Sequence, residues 1–242
     1  MPKTLRHRGP DPEDARSFGA RSLERLKAGA SDLCWLLGRG YGITSATELV
    51  GDRHHLTRRQ RIAVARCACS QTAAERRAAH SVTAPALRGQ ELWLDGFNVL
   101  TAVETALGGG VILIGRDGCC RDVAGIYSHY HKVAETIPAL RLIGEYIARH
   151  EVTRTRWWLD SPVDNSGRLK AVIQEVAREE NWPWEVELVL NPDRVLSSAD
   201  QVVCSSDHEI LDRCQRWFNL SREVISTHAP KARVVDLGSG VS

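Results

Sequence analysis

The chain has 242 residues, 43% of them hydrophobic and 26% charged, with a formal net charge of +2. That balance is ordinary for a globular protein that folds in water, and the length is close to the upper limit for one core, so one large or two unequal domains are expected. Apolar runs such as Val111–Ile114 fall far short of the roughly 20 residues a membrane helix needs, and the Arg-rich amino terminus has no signal-peptide core, which excludes a membrane partner and makes a cytoplasmic protein the expectation. The seven cysteines form no regular framework and read as reduced thiols.

Charge is spread unevenly. Residues 1–90 carry 16 Lys and Arg against 8 Asp and Glu, whereas residues 91–242 carry 16 against 22. A basic segment beside an acidic one suits a phosphate-binding surface next to a carboxylate metal site, although solvated helix faces give the same asymmetry.

In chain order, Asp11–Gly29 places Ala15, Phe18, Leu23 and Leu26 at helical spacing, and Asp32–Leu37 continues the pattern until the glycines from Gly38 to Gly42 stop it. Thr44 or Ser45 caps a second helix through Val50. Thr57 caps a third, Arg58–Cys69, which sets Ile62, Val64 and Ala65 among Arg58, Arg59, Arg61 and Arg66. Guanidinium forks match phosphate oxygens, so these four arginines are candidates for nucleic-acid contact. His54, His55, Cys67 and Cys69 lack the paired half-sites of a zinc centre. Ser70–Gly89 holds few large apolar residues and reads as a helix tail and linker. The expected domains are therefore a small basic all-α unit at 1–88 and an α/β unit at 89–242.

The second unit opens on ELWLDGFNVL, Glu91–Leu100, an apolar strand that ends in Asp95 with Gly96 and Asn98 just beyond. Further strands are expected at Val111–Ile114, Thr155–Leu159, Trp184–Leu190, Gln201–Cys204 and Arg233–Leu237. Helices are expected from Pro138 to His150, Arg168 to Glu180 and His208 to Trp217. GRDGCCRD, residues 115–122, reads as a turn or exposed loop. Strands alternating with helices predict a parallel sheet flanked by helices. The tryptophans at 157, 158, 182, 184 and 217 could stack bases, but alternating Trp in strands is more often core. His129 and His131 are weaker candidates for phosphate contact or proton transfer.

Three strand candidates end in an acid: Asp95 after LWL, Asp160 after WWL and Asp207 after QVVCSS, with Asp200 just before the last strand. Neighbouring strands lie about 4.8 Å apart, so such carboxylates would converge in the crevice at the strand ends. Taken alone, each Asp is more often a turn former or helix cap. Together they repel unless a cation holds them, and an oxygen-only ligand set favours Mg²⁺ or Mn²⁺.

LWLDGFNVL is similar to the first strand of PIN-like nucleases of the NYN branch, which carry D-G-x-N after an aliphatic strand. ADQVVCSSDHEILDR, Ala199–Arg213, resembles their later strand, where an apolar run ends in S-x-D before a helix. The resemblance covers residues 91–242. With its basic helical front, the whole chain also resembles a family of uncharacterised two-part proteins. It implies a PIN-like α/β fold and a metal-dependent endoribonuclease acting on RNA. Asp95 and Asp207 would be metal ligands, Asp200 would lie nearby, and Asn98 would orient Asp95 or the phosphate; Asp160 fits by strand position alone. A further helix-borne acid is expected in such a site, and Asp117, Asp122 and Glu135 all remain open. The alternative is a non-catalytic RNA-binding or regulatory protein on the same fold.

Two rival resemblances are weaker. Val234–Gly240, VVDLGSG, is similar to the cofactor turn of methyltransferases, but that turn opens a domain and is followed by a long α/β region. Asp95-Gly96 lacks the second acid of haloacid dehalogenase phosphatases, since Phe97 stands in its place. A homo-oligomer is compatible with this composition.

Overall fold

The computed structural model describes residues 6–123 and 130–239. His129 and Gly240 lie outside these residues.

The front is helical: α1 (Asp14–Ser17), α2 (Ala20–Leu37), α3 (Ile43–Arg53), α4 (Arg58–Cys67) and α5 (Gln71–His80), then a 3₁₀ turn at Ala84–Leu87. Thr57 starts α4 with a capping box, its hydroxyl accepting from Gln60 N while the Gln60 side chain accepts from Thr57 N. This reciprocal pair satisfies two orphan amides at the helix start. Gly42, rather than Thr44 or Ser45, stands at the start of α3. The stretch expected to be mostly linker is largely helix. Ser70 caps α5, whose buried anchor is ionic: Arg77 Nη1 lies 2.6 Å from Asp117 Oδ2 and Arg77 Nε lies 2.8 Å from Asp212 Oδ1. A search for apolar residues passes over such an anchor.

The α/β part follows as β1 (Glu91–Asp95), α6 (Gly96–Leu107), β2 (Val111–Ile114), β3 (Cys120–Asp122), α7 (Thr136–Arg149), β4 (Arg154–Asp160), α8 (Ser166–Glu179), β5 (Trp184–Val189), α9 (Pro192–Ser197), β6 (Val202–Cys204), α10 (His208–Leu211), α11 (Leu220–His228) and β7 (Arg233–Asp236). Four strands form a parallel sheet in the order β5-β4-β1-β6. The strands at Val111–Ile114 and Arg233–Asp236 do not join it. They form a second sheet, β3-β2-β7, in which β2 and β3 are antiparallel. GRDGCCRD is accordingly no exposed loop, because Cys119–Asp122 is buried as the edge of that sheet. The helix expected at His208–Trp217 stops at Leu211, and Trp217 instead bridges to Val203 and Ser81.

Period-two alternation sorts the parallel sheet into two faces. Leu92, Leu94, Trp157, Leu159 and Val186 belong to the core shared with α6, α7, α8 and α11. Trp93 and Trp158 point the other way, toward the layer of Leu196, Ile210 and Leu211 from α9 and α10. Trp157 is buried and packs on Trp184, with ring centroids 5.1 Å apart, and Trp158 and Trp217 are also buried, so these rings are core.

The front helices have no closed core of their own. Leu26, Leu33, Val50 and Val64 pack with Val111, Leu113, Val235 and Leu237 of the small sheet. All seven cysteines are buried and free, and His54 pairs with Asp32 at 2.8 Å. Among the described residues, no helix is long and apolar enough to cross a membrane.

Candidate functional site

In the order β5-β4-β1-β6, the chain steps from β1 outward to β4 and β5 and then returns to the far side of β1 as β6. The crevice at the carboxyl ends of β1 and β6 is therefore the switch point, where ligands of open α/β sheets bind. Asp95 stands there. It shares the face of Trp93, and Asp160 shares the face of Trp158, so alternation turns both carboxylates toward the α9–α10 layer.

A cleft of about 220 Å³ at this point is lined by Asp95, Asn98, Asp160 and Asp207, together with Arg66, Asp122 and Asp193. Three of the acids expected from strand ends are thus brought together. Asp200 is not among them. It precedes β6, at the opposite end of the strand from Asp207, where it is exposed and accepts from Gln215 Nε2 at 3.1 Å.

Gly96 joins β1 to α6 where space is short: a Cβ there would lie 2.5 Å from Leu159 Cδ2 and 3.0 Å from the Trp158 carbonyl oxygen. A side chain at 96 would have to displace the buried Leu159 side chain or shift α6, and Asn98 with it, away from the sheet. Ser205 Oγ donates to Asp95 Oδ2 at 2.7 Å and accepts the Asp207 amide at 3.0 Å. Asn98 Oδ1 accepts from Ser206 N and Ser206 Oγ, each at 2.9 Å. Asp207 caps α10, its Oδ1 accepting from Glu209 N and Ile210 N. Arg121, itself buried, donates from Nε to the Ser206 carbonyl at 2.8 Å and clasps Asp117 with both terminal nitrogens. The Ser205–Asp207 loop is therefore fixed from both sides.

The electrostatics are those of crowded anions. Burial, followed by the charges of Asp207 and Asp193, pushes the Asp95 carboxyl up to about 7. Burial raises Asp160, and burial with Asp207, Glu209 and Asp160 raises Asp193. Asp160 Oδ1 is buried without a hydrogen-bond partner among the described residues. Still, no three Asp, Glu, His or Cys side chains among these residues are close enough to form a ready-made ion site. The fit to a divalent ion rests on the oxygen-only donors, the orphaned oxygen and the anionic crowding.

The open choice of a further acid resolves into different roles. Asp122 lines the cleft and accepts from Arg66 Nη1 at 2.8 Å. Asp117 is structural: burial alone would raise it, but Arg121, with Arg77, holds it well below the usual carboxylate range. Glu135 binds His7 at 2.7 Å and the Arg8 amide, away from the cleft. Asp193 ends no strand and lies in α9, a helix of six residues. Its signal in the sequence was Asn191-Pro192-Asp193, a cap, a first-turn proline and a first-turn acid.

The four arginines of α4 separate as well. Arg59 is held by Asp14 at 2.6 Å, and Arg61 by Asp52 at 2.6 Å and the Leu56 carbonyl. Both are anchors within the front unit. Arg58 is exposed, and only Arg66 reaches the acid cleft. His131 is exposed and lies outside the residues that line it.

A family model described as a domain of unknown function, DUF5616, matches residues 84–223, more than half of the chain. The chain belongs to the DUF5616 family. In this DUF5616 protein, a second model, described as a protein of unknown function, DUF434, matches residues 25–79. The cleft thus draws its acids from the DUF5616 segment and Arg66 from the DUF434 segment. An uncharacterised protein of Methanocaldococcus jannaschii is 28% identical over 190 residues, spanning 78% of this chain and 89% of its own length. No solved structure matches the chain.

Proposed function

We propose that the chain is a metal-dependent endoribonuclease built on a PIN-like α/β domain. The reading is carried by the convergence of Asp95, Asp160, Asp193 and Asp207 on one cleft at the switch point of the sheet. Mg²⁺ or Mn²⁺ is the cofactor that suits these donors. Asp95, Asp160, Asp193 and Asp207 would hold it, with Asp193 taking the place expected for Asp200. Such an ion lowers the pKa of bound water and offsets charge on a phosphodiester.

The residues of the chain supply the rest. Ser205 holds the Asp95 carboxylate in place at the cleft. Asn98, clamped by Ser206 through Oδ1, lines the cleft with Nδ2 as its remaining donor. Arg66 brings positive charge to a site that would otherwise repel a polyanion. RNA is the polyanion favoured by the resemblance of LWLDGFNVL and ADQVVCSSDHEILDR to NYN-type nucleases.

A second reading is an RNA-binding protein without catalysis; it draws on the absence, among the described residues, of three such side chains grouped closely enough to hold an ion. Incubating labelled RNAs with Mg²⁺ or Mn²⁺ and either wild type or Asp95→Asn separates the two. Internal cleavage by wild type alone supports the nuclease. Retention of RNA without cleavage under either metal replaces it with the binder.

A further inference from the structure

A second cavity, of about 380 Å³, opens beside the acid cleft, and Arg66, Asn98, Asp122 and Asp207 line both. Arg121 and Ser206 add to its polar side, and its other walls differ in kind from those of the acid cleft. Ile62 and Ala65 come from α4, Ala102 comes from α6, and His208 stands at the start of α10. The cavity therefore lies between the front helices and the α/β part, with aliphatic groups contributed by both.

The polar groups have fixed roles. His208 Nε2 lies 3.1 Å from the Arg66 carbonyl oxygen, which can only accept, so Nε2 carries the proton. In the neutral tautomer that this bond selects, Nδ1 is an acceptor. Asn98 Oδ1 is committed to Ser206, which leaves Nδ2 as a donor. Neither His208 Nδ1 nor Asn98 Nδ2 has a hydrogen-bond partner among the described residues. Between the aliphatic walls the cavity thus offers His208 as an acceptor and Asn98 as a donor, alongside the side chains of Arg66, Arg121, Asp122, Ser206 and Asp207.

We infer that this cavity takes the base of the nucleotide whose phosphate lies at the acids, and that α4 of the front unit therefore selects what the α/β part cuts. A heterocyclic base offers flat apolar faces and an edge with alternating donors and acceptors, and so matches the cavity in both respects. The inference rests on the nuclease reading for the position of the phosphate, but not for the recognition of the base.

The test is calorimetric titration of the full chain carrying Asp95→Asn, in Mg²⁺, with each of the four ribonucleoside 5′-monophosphates and with ribose 5-phosphate. At least one nucleotide is expected to bind about tenfold or more tightly than ribose 5-phosphate, the scale of one base contact. Adding Ile62→Trp, which fills the cavity, should remove that preference while leaving ribose 5-phosphate binding within about twofold. If Ile62→Trp does not fold, Ala65→Leu provides the same arm. Nucleotides that bind no better than ribose 5-phosphate, or a preference untouched by the filled cavity, overturn the inference. Base-dependent binding without RNA cleavage by wild type would sink the nuclease reading and leave the pocket standing. Cleavage indifferent to Ile62→Trp would do the reverse.

Discussion

Asp95 and Asp207 are joined through one hydroxyl: Ser205 Oγ donates to the carboxylate of the first and accepts the backbone amide of the second. The link ties the end of β1 to the loop after β6. It also makes the ionisation of Asp95 the property on which the site turns.

The first prediction concerns stability and pH. The folded pKa of Asp95 is raised to about 7 from an ordinary value of 3.8, so the unfolded chain releases the proton first. Stability contributed by the protonated carboxyl is fully present below the unfolded pKa and is lost as pH rises toward 7. The loss is on the order of 4 kcal/mol at most, because each tenfold change in proton affinity is worth about 1.4 kcal/mol. Asp95→Asn should therefore raise the melting temperature at pH 8 and do so much less at pH 4.5. Thermal melts of both proteins in EDTA check this, and equal differences at the two pH values would contradict it.

Proton and metal compete for the same carboxylate. Mn²⁺ affinity should rise by up to about tenfold per pH unit below 7 and flatten above it. Asp160→Asn and Asp193→Asn should each weaken binding, while Asp200→Asn should leave it unchanged. Titrations followed by Mn²⁺ paramagnetic resonance decide the matter, and an effect of Asp200→Asn as large as that of Asp193→Asn would refute the ligand assignment.

Much of this arrangement is legible in the sequence, for reasons that mark where legibility ends. An apolar strand closing on an acid is a local pattern, so Asp95, Asp160 and Asp207 stand out. Placing Asp200 needs the direction of its strand: an acid before a parallel strand lies at the far edge from one after it. Asp193 sits on a six-residue helix too short to show periodicity. The partition of β2 and β7 into a separate sheet is a property of packing, since a strand of four residues carries no mark of its partner. Arg59 and Arg61 resemble phosphate contacts by composition, yet Asp14, 45 residues away in the chain, has claimed the first and Asp52, nine residues away, the second.

Arg121 and Arg58 should behave as opposites. Arg121→Ala strips a buried guanidinium from Asp117 and the Ser206 carbonyl, at a cost of about 3–5 kcal/mol. Arg58→Ala, at an exposed site, should stay within about 0.5 kcal/mol of wild type. Urea denaturation measures both, and comparable losses would show that the buried network is not what holds the loop.

Gly96→Ala should destabilise by about 1–3 kcal/mol, the usual cost of overpacking, because the added methyl meets Leu159 and the Trp158 carbonyl. It should also weaken Mn²⁺ binding, although position 96 contributes no ligand, since a shift of α6 carries Asn98 with it. A variant with unaltered stability and metal affinity would disprove that the close approach sets the site.

Val111, Leu113, Val235 and Leu237 complete the apolar interior of the front helices. The boundary between the two family matches is therefore no seam along which the polypeptide can be divided. A gene truncated there would leave one product with a greasy strand surface bared to water and the other as helices lacking a floor. Both would clump, and only the uninterrupted reading frame would yield material that melts in one step.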